Sequence, residues 1–137
     1  MLRKDAKLEL LERVPLFERC SKRELVEIAG LADEVTLAAG RKLTREGTSG
    51  KEFVVIVEGS AEVRRKGRRV NSLRSGDFLG EIALVTGMPR TATVTTTATT
   101  RVLVITAPAF RGLLRRMPSL QLKVLDALAA RLPPEYS

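Results

Sequence analysis

Apolar residues recur at helical intervals at both ends of the chain and in short alternating runs between them. Leu2, Ala6, Leu10 and Val14 stand four residues apart, with Leu8 and Leu11 beside them. That spacing predicts a helix over 2–13, ended by Pro15. Ser21-Lys22-Arg23-Glu24 has the form of a capping box, serine at the cap and glutamate three residues on. It predicts a second helix whose apolar face is Leu25, Ile28, Ala29 and Ala32.

From Asp33 the texture changes, as β-branched residues rise and glycines or charged pairs punctuate short runs. Candidate strands are 34–38, 41–45, 52–57, 60–65, 69–74, 91–97 and 100–106. Many short strands at this spacing indicate an antiparallel sandwich or barrel, not a parallel sheet. Phe53-Val54-Val55-Ile56-Val57 is the most apolar run and is expected at the centre of a sheet. After Thr106 the helical period returns. Phe110, Leu113, Leu114 and Met117 form one face, and Pro118-Ser119 restarts the chain. Val124, Leu125, Leu128, Ala129 and Leu132 then predict an amphipathic helix over 119–132, stopped by Pro133-Pro134. The fold expected is mainly β: an antiparallel, jelly-roll-like β-roll over 33–106, with N-terminal helices over 2–32 and C-terminal helices over 107–132, in a single domain of residues 1–137.

Composition narrows the function classes. Hydrophobic residues at 44% and charged residues at 29% fit a globular protein. No apolar run approaches the ~20 residues of a membrane span. The opening MLRKDAKLELLERV has acidic residues among its leucines, unlike a signal peptide, so a cytoplasmic protein is expected. The chain has no histidine, which excludes histidine-based triads and disfavours zinc and non-haem iron sites. Its lone cysteine, Cys20, permits no intrachain disulfide. The net charge of +8 favours acidic partners. Arg64-Arg65-Lys66-Gly67-Arg68-Arg69 is the one dense basic stretch and reads as a solvated hairpin tip. With aromatic residues at only 4%, there is no stacking platform for single-stranded nucleic acid.

One segment interrupts the hairpins: Gly76-Asp77-Phe78-Leu79-Gly80-Glu81-Ile82-Ala83-Leu84-Val85-Thr86-Gly87-Met88-Pro89-Arg90-Thr91-Ala92. Glu81–Val85 reads as a short helix closed by Gly87. A helix inserted between strands gathers free backbone N–H groups at one point, an arrangement suited to an anion. Gly80 lets a ligand approach the backbone closely. Arg90 can fold back over the helix start, where its planar fork suits two phosphate oxygens. Glu81 would repel a phosphate but can accept hydrogen bonds from a sugar hydroxyl. One negative charge and one hydroxyl on a rigid frame describe a 3′,5′-cyclic nucleotide.

Phe-x-Gly-Glu-Ile-Ala-Leu from Phe78, followed after a short gap by Arg90-Thr91-Ala92-Thr93-Val94, resembles the phosphate-binding cassette of cyclic-nucleotide-binding domains. These occur in catabolite-activator-type regulators, cyclic-nucleotide-dependent kinases and gated channels. Glu46-Gly47-Thr48-Ser49-Gly50 and the run from Phe53 to Gly59 resemble the family's second and third strands with their glycine turn, and Gly76-Asp77 its turn before the cassette. The resemblance implies a cassette over 78–92 in which Arg90 binds the cyclic phosphate of cAMP or cGMP and Glu81 the ribose 2′-hydroxyl. It implies that Leu79, Gly80, Ile82, Ala83 and Ala92 line the ligand, and that a Thr91 hydroxyl is compatible with cGMP without excluding cAMP. Val63 and Leu73, and Leu128 and Leu132 on the last helix, are expected at the base pocket or its lid; Tyr136 is a further lid candidate. Lys51 departs from the family's usual Asp or Asn at a turn, where a small structural effect is expected.

The expected function is therefore a non-catalytic sensor with no cofactor, coupled to an effector domain or protein partner. An enzyme of this barrel type generally wants histidine ligands. A transcription regulator would need a helix-turn-helix after the last helix, and none follows Pro133-Pro134, so direct DNA binding is not expected. The alternatives are a degenerate domain serving as a protein-interaction module, or a fragment of a transcription regulator or channel.

Overall fold

The computed structural model describes residues 4–48, 51–80 and 92–131. Helix α1 (Lys4–Glu12) leads into a 3-10 turn (Pro15–Phe17) and helix α2 (Lys22–Leu31). Strands β1 (Asp33–Leu37), β2 (Lys42–Thr44), β3 (Glu52–Glu58), β4 (Ser60–Arg65), β5 (Arg68–Arg74), β6 (Phe78–Leu79), β7 (Thr93–Thr96) and β8 (Thr100–Thr106) follow. Helices α3 (Ala107–Arg116) and α4 (Pro118–Arg131) come last. The strands form two antiparallel four-stranded sheets, ordered β1-β8-β3-β6 and β2-β7-β4-β5. This is the antiparallel β-roll with flanking helices that the sequence pattern predicts.

The unbroken apolar run of β3 has a physical reason: both its faces are covered. Val54 and Ile56 point into the roll, with Leu79 and Val102 of their own sheet and Ala61, Leu73 and Val94 of the other. Phe53, Val55 and Val57 join the helical core with Leu11, Phe17, Ile28, Phe110, Leu113 and Leu120. All four phenylalanines meet at Phe53. Phe110 stacks on it at 4.6 Å, Phe78 lies tilted at 5.8 Å and Phe17 stands edge-on at 6.1 Å. The capping box forms as the sequence predicts, Ser21 accepting the Glu24 N–H at 3.1 Å and Glu24 accepting the Ser21 N–H at 2.7 Å.

Three expectations change. Pro15 does end a helix, but it also opens a 3-10 turn that buries Leu16 and Phe17. Phe78–Leu79, read as part of the cassette, also forms a short strand on β3. On α4, Val124 and Leu125 do not share a face: Val124 is buried beside Leu120, whereas Leu125 is 59% exposed. Consecutive residues stand about 100° apart on a helix, so the inward row follows the four-residue step from Leu120 to Val124.

Polar contacts fasten the helices to one another. Lys7 donates to the carbonyl of Ala32, the C-cap of α2, at 2.8 Å. Arg116 pairs with Glu27, and Lys123 with Glu18.

Candidate functional site

The segment from Leu79 to Ala92 crosses from one sheet to the other, and its two ends are held by different means. At the first end the Gly76-Asp77 turn is stitched to β3: the Ile56 N–H donates to the Asp77 carbonyl at 2.8 Å, and the Gly76 N–H to the Ile56 carbonyl at 2.8 Å. The Asp77 carboxylate accepts the Arg74 N–H at 2.9 Å. Leu79 then pairs with Val54, and its side chain lies in the roll interior. Gly80 follows with φ of 104°, a backbone state that a side chain would strain.

At the second end, Ala92 is buried and the Thr44 hydroxyl donates to its carbonyl at 3.0 Å. Thr93 accepts the Glu46 N–H at 2.9 Å through its hydroxyl, and Val94 pairs with Val63 across the sheet. Asp77 and Thr93, both inside the stretches that the sequence reading singled out, hold the two ends, and Thr44, which that reading missed, joins them. A threonine that holds a carbonyl 48 positions away leaves no local pattern.

Among the expected site residues, Leu79 and Leu73 belong to one buried cluster, with Val63 packed against it. Leu73 also lines an open depression of about 500 Å³ along β5, from Arg69 to Arg74. Gly80 and Ala92 bound the segment. Glu81, Ile82, Ala83, Arg90 and Thr91 lie outside the described residues, as do Leu132 and Tyr136; the Leu128 side chain does too. Lys51 contributes through its backbone, its carbonyl accepting the Ala107 N–H at 2.8 Å.

Elsewhere the chemistry is quiet. Burial, with a smaller effect from the Glu24 carboxylate, pushes the Cys20 thiol up to about 11, so it stays protonated and unreactive at neutral pH. Among the described residues no group of three or more Cys, Asp or Glu is arranged to hold a metal ion, and no helix is long and apolar enough to cross a membrane.

The class is thus an antiparallel β-roll with helices packed on one sheet and a segment bridging the two sheets. The family follows from sequence comparison: the profile of the cyclic nucleotide-binding domain matches residues 34–117, and the chain belongs to that family. A cAMP-dependent protein kinase regulatory subunit from Mycosarcoma maydis is 37% identical over 115 residues, which cover 77% of this chain and 22% of that protein. A putative potassium channel protein from Rhodopseudomonas palustris is 32% identical over 126 residues, 89% of this chain and 30% of that protein. The chain therefore spans less than a third of either relative. The regulatory domain of Toxoplasma gondii protein kinase A, solved with cAMP, superposes with a TM-score of 0.83 at 25% identity, covering 95% of this chain and 51% of that one. The regulatory subunit of a cAMP-independent protein kinase A from Trypanosoma brucei gives 0.82 at 20%, covering 98% and 48%.

Proposed function

We propose that residues 1–137 form one non-catalytic regulatory domain that binds a 3′,5′-cyclic nucleotide, cAMP or cGMP, and passes the signal to an effector domain or protein partner. The observation that carries this reading is the pair of fixed ends around Gly80-Glu81 and Arg90-Thr91. A segment held at Leu79 on one sheet and at Ala92 on the other can bring a charged fork and a carboxylate to one ligand. In this reading Arg90 takes the cyclic phosphate, backbone groups of Gly80, Ile82 and Ala83 complete its cradle, and Glu81 accepts from the ribose 2′-hydroxyl. Leu73 and Val63 border the base. The fold alone does not decide the ligand, since a cAMP-independent kinase subunit shares it; residue chemistry does. A calorimetric titration with cAMP and with cGMP tests the reading, and heat from neither overturns it.

Glu81→Gln keeps the shape but removes the charged acceptor. It is expected to weaken cAMP binding by about tenfold, the size of a hydrogen bond to an ionised group, and to weaken 2′-deoxy-cAMP binding much less. Equal losses for the two ligands remove Glu81 from the sugar.

The helices supply an output. Phe78, at the start of the cassette, touches Phe53, which stacks on Phe110 of α3. Beyond α3, Met117 breaks the helix with an extended conformation (φ −124°, ψ 93°). Arg116–Glu27 lies before this break and Lys123–Glu18 after it. In the structure α4 is docked, with Leu120 and Val124 buried in the helical core. A swing of α4 at Met117, by which Leu128 or Leu132 would cap the base, releases Lys123 from Glu18. The Lys123 ammonium holds the Glu18 carboxyl below the ordinary glutamate value. A lowered acid pKa means that this latch is present above the ordinary carboxylate range and is lost as pH falls through the lowered value. Lys123→Ala is expected to raise nucleotide affinity by up to about threefold, the scale of an exposed ion pair. Amide exchange over 118–131 is expected to slow on adding nucleotide. Unchanged exchange at saturating ligand refutes capping.

A further inference from the structure

The β4–β5 hairpin carries its charge in an arrangement that a solvated tip does not require. Arg64 stands directly opposite Arg69, and Arg65 directly opposite Arg68. Lys66 follows them in the turn. All five residues are exposed. Like charges opposite one another on a ribbon are destabilising. Glu62 binds Arg64 at 2.7 Å, but no carboxylate among the described residues forms an ion pair with Arg68 or Arg69. A bulge between Val63 and Arg64 shifts the register so that these arginines meet.

Arg64 pairs across the sheet with Thr93, the residue after Ala92, where the segment 81–91 rejoins the roll. The Glu46 carboxylate accepts the Lys66 N–H at 2.9 Å, while the Glu46 N–H donates to the Thr93 hydroxyl at 2.9 Å. The hairpin tip is therefore tied to the end of the cassette itself.

We propose that Arg65, Lys66, Arg68 and Arg69 form a cationic collar that draws an anionic nucleotide to the cassette and sets its association rate. The proposal rests on the cyclic-nucleotide reading and adds to it a kinetic role for residues that need not touch the bound ligand. A unit positive charge about 10 Å from the path of a singly charged anion in water multiplies encounter by roughly 1.6-fold at 0.01 M ionic strength, and by almost nothing at 1 M. Reversing two such charges changes the local balance by four units, hence about sevenfold in kon at low salt.

The test is stopped-flow binding of an 8-substituted fluorescent cAMP to the parent and to Arg68→Glu/Arg69→Glu, at ionic strengths of about 0.01 M and 1 M. The variant is expected to associate about sevenfold more slowly at low salt and equally fast at high salt, with koff unchanged. Its Tm is expected to equal or exceed that of the parent, because each substitution sets a carboxylate opposite an arginine. Arg68→Gln/Arg69→Gln, which removes two charges instead of reversing them, is expected to lower the low-salt kon about two- to threefold. Equal low-salt rates overturn the collar. So does a slower kon that persists at 1 M together with a lower Tm, the signature of a structural role. A parent that binds no nucleotide overturns the cyclic-nucleotide reading and the collar with it; a parent that binds with unaltered kinetics in both variants overturns the collar alone.

Discussion

Arg90→Ala is expected to weaken cyclic-nucleotide binding by more than about 2 kcal/mol, roughly thirtyfold, with Tm of the free protein unchanged. The size follows from the chemistry of the guanidinium. If it grips two phosphate oxygens as proposed, it makes two charge-assisted hydrogen bonds, each stronger than a neutral one, and these are lost in the variant. Removing it leaves the phosphate desolvated beside backbone donors alone. Arg90→Lys separates charge from shape: the ammonium retains the charge but not the fork, so part of the loss should remain. The effect should also depend on Glu81. If the carboxylate is held near the guanidinium, the double variant Glu81→Gln/Arg90→Ala should lose less than the sum of the single losses. Calorimetry on the four proteins measures this cycle. Undiminished affinity in Arg90→Ala removes the arginine from the phosphate and, with it, the site as drawn.

Of the cassette, the described residues at its two ends can be compared with the sequence reading. Gly80 could be read as a place for close backbone approach, and its φ of 104° agrees with a position that favours glycine. The β3 run was legible as a central strand because a strand covered on both faces shows no alternation. What was not legible depends on distant partners. Thr44 on β2 reaches Ala92 beside the neighbouring strand β7, 48 positions away, and no nearby residue signals it. The two-residue strand Phe78–Leu79 is too short to show a period; only its pairing with Val54 and Val55 defines it. The basic stretch was legible as an exposed tip, but its opposed arginines were not. A regular hairpin without the bulge would set Arg64 opposite Val70 and Arg65 opposite Arg69; the register shift makes the Arg64–Arg69 and Arg65–Arg68 pairs instead. Register is a property of two strands and a bulge, and sequence spacing alone does not give it.

Gly59→Ala is expected to cost about 3 kcal/mol or more of folding stability, lowering Tm by about 10 °C. Gly59 is where the chain leaves β3 in one sheet and turns into β4 of the other, with φ of 105°. A Cβ there would lie 2.5 Å from the Thr100 hydroxyl oxygen, 2.7 Å from the Thr100 Cα and 2.7 Å from the Thr99 carbonyl oxygen. Two of these atoms are backbone, so rotating a side chain cannot relieve the clash. Moving them would disturb the Thr100 hydroxyl, which accepts the Ser60 N–H at 3.3 Å and can donate to the Ala98 carbonyl at 2.8 Å. Gly40 is the matched control. Its φ is 84°, but a Cβ would meet nothing within 4 Å, so Gly40→Ala carries the backbone strain without the collision. It is expected to cost about 1 kcal/mol. The difference between the two variants, read from chemical denaturation at equal m-value, isolates the close approach at the sheet crossing. Equal costs for Gly40→Ala and Gly59→Ala would show that the crossing yields to a methyl group, so that close approach at Gly59 does not hold the two sheets in place.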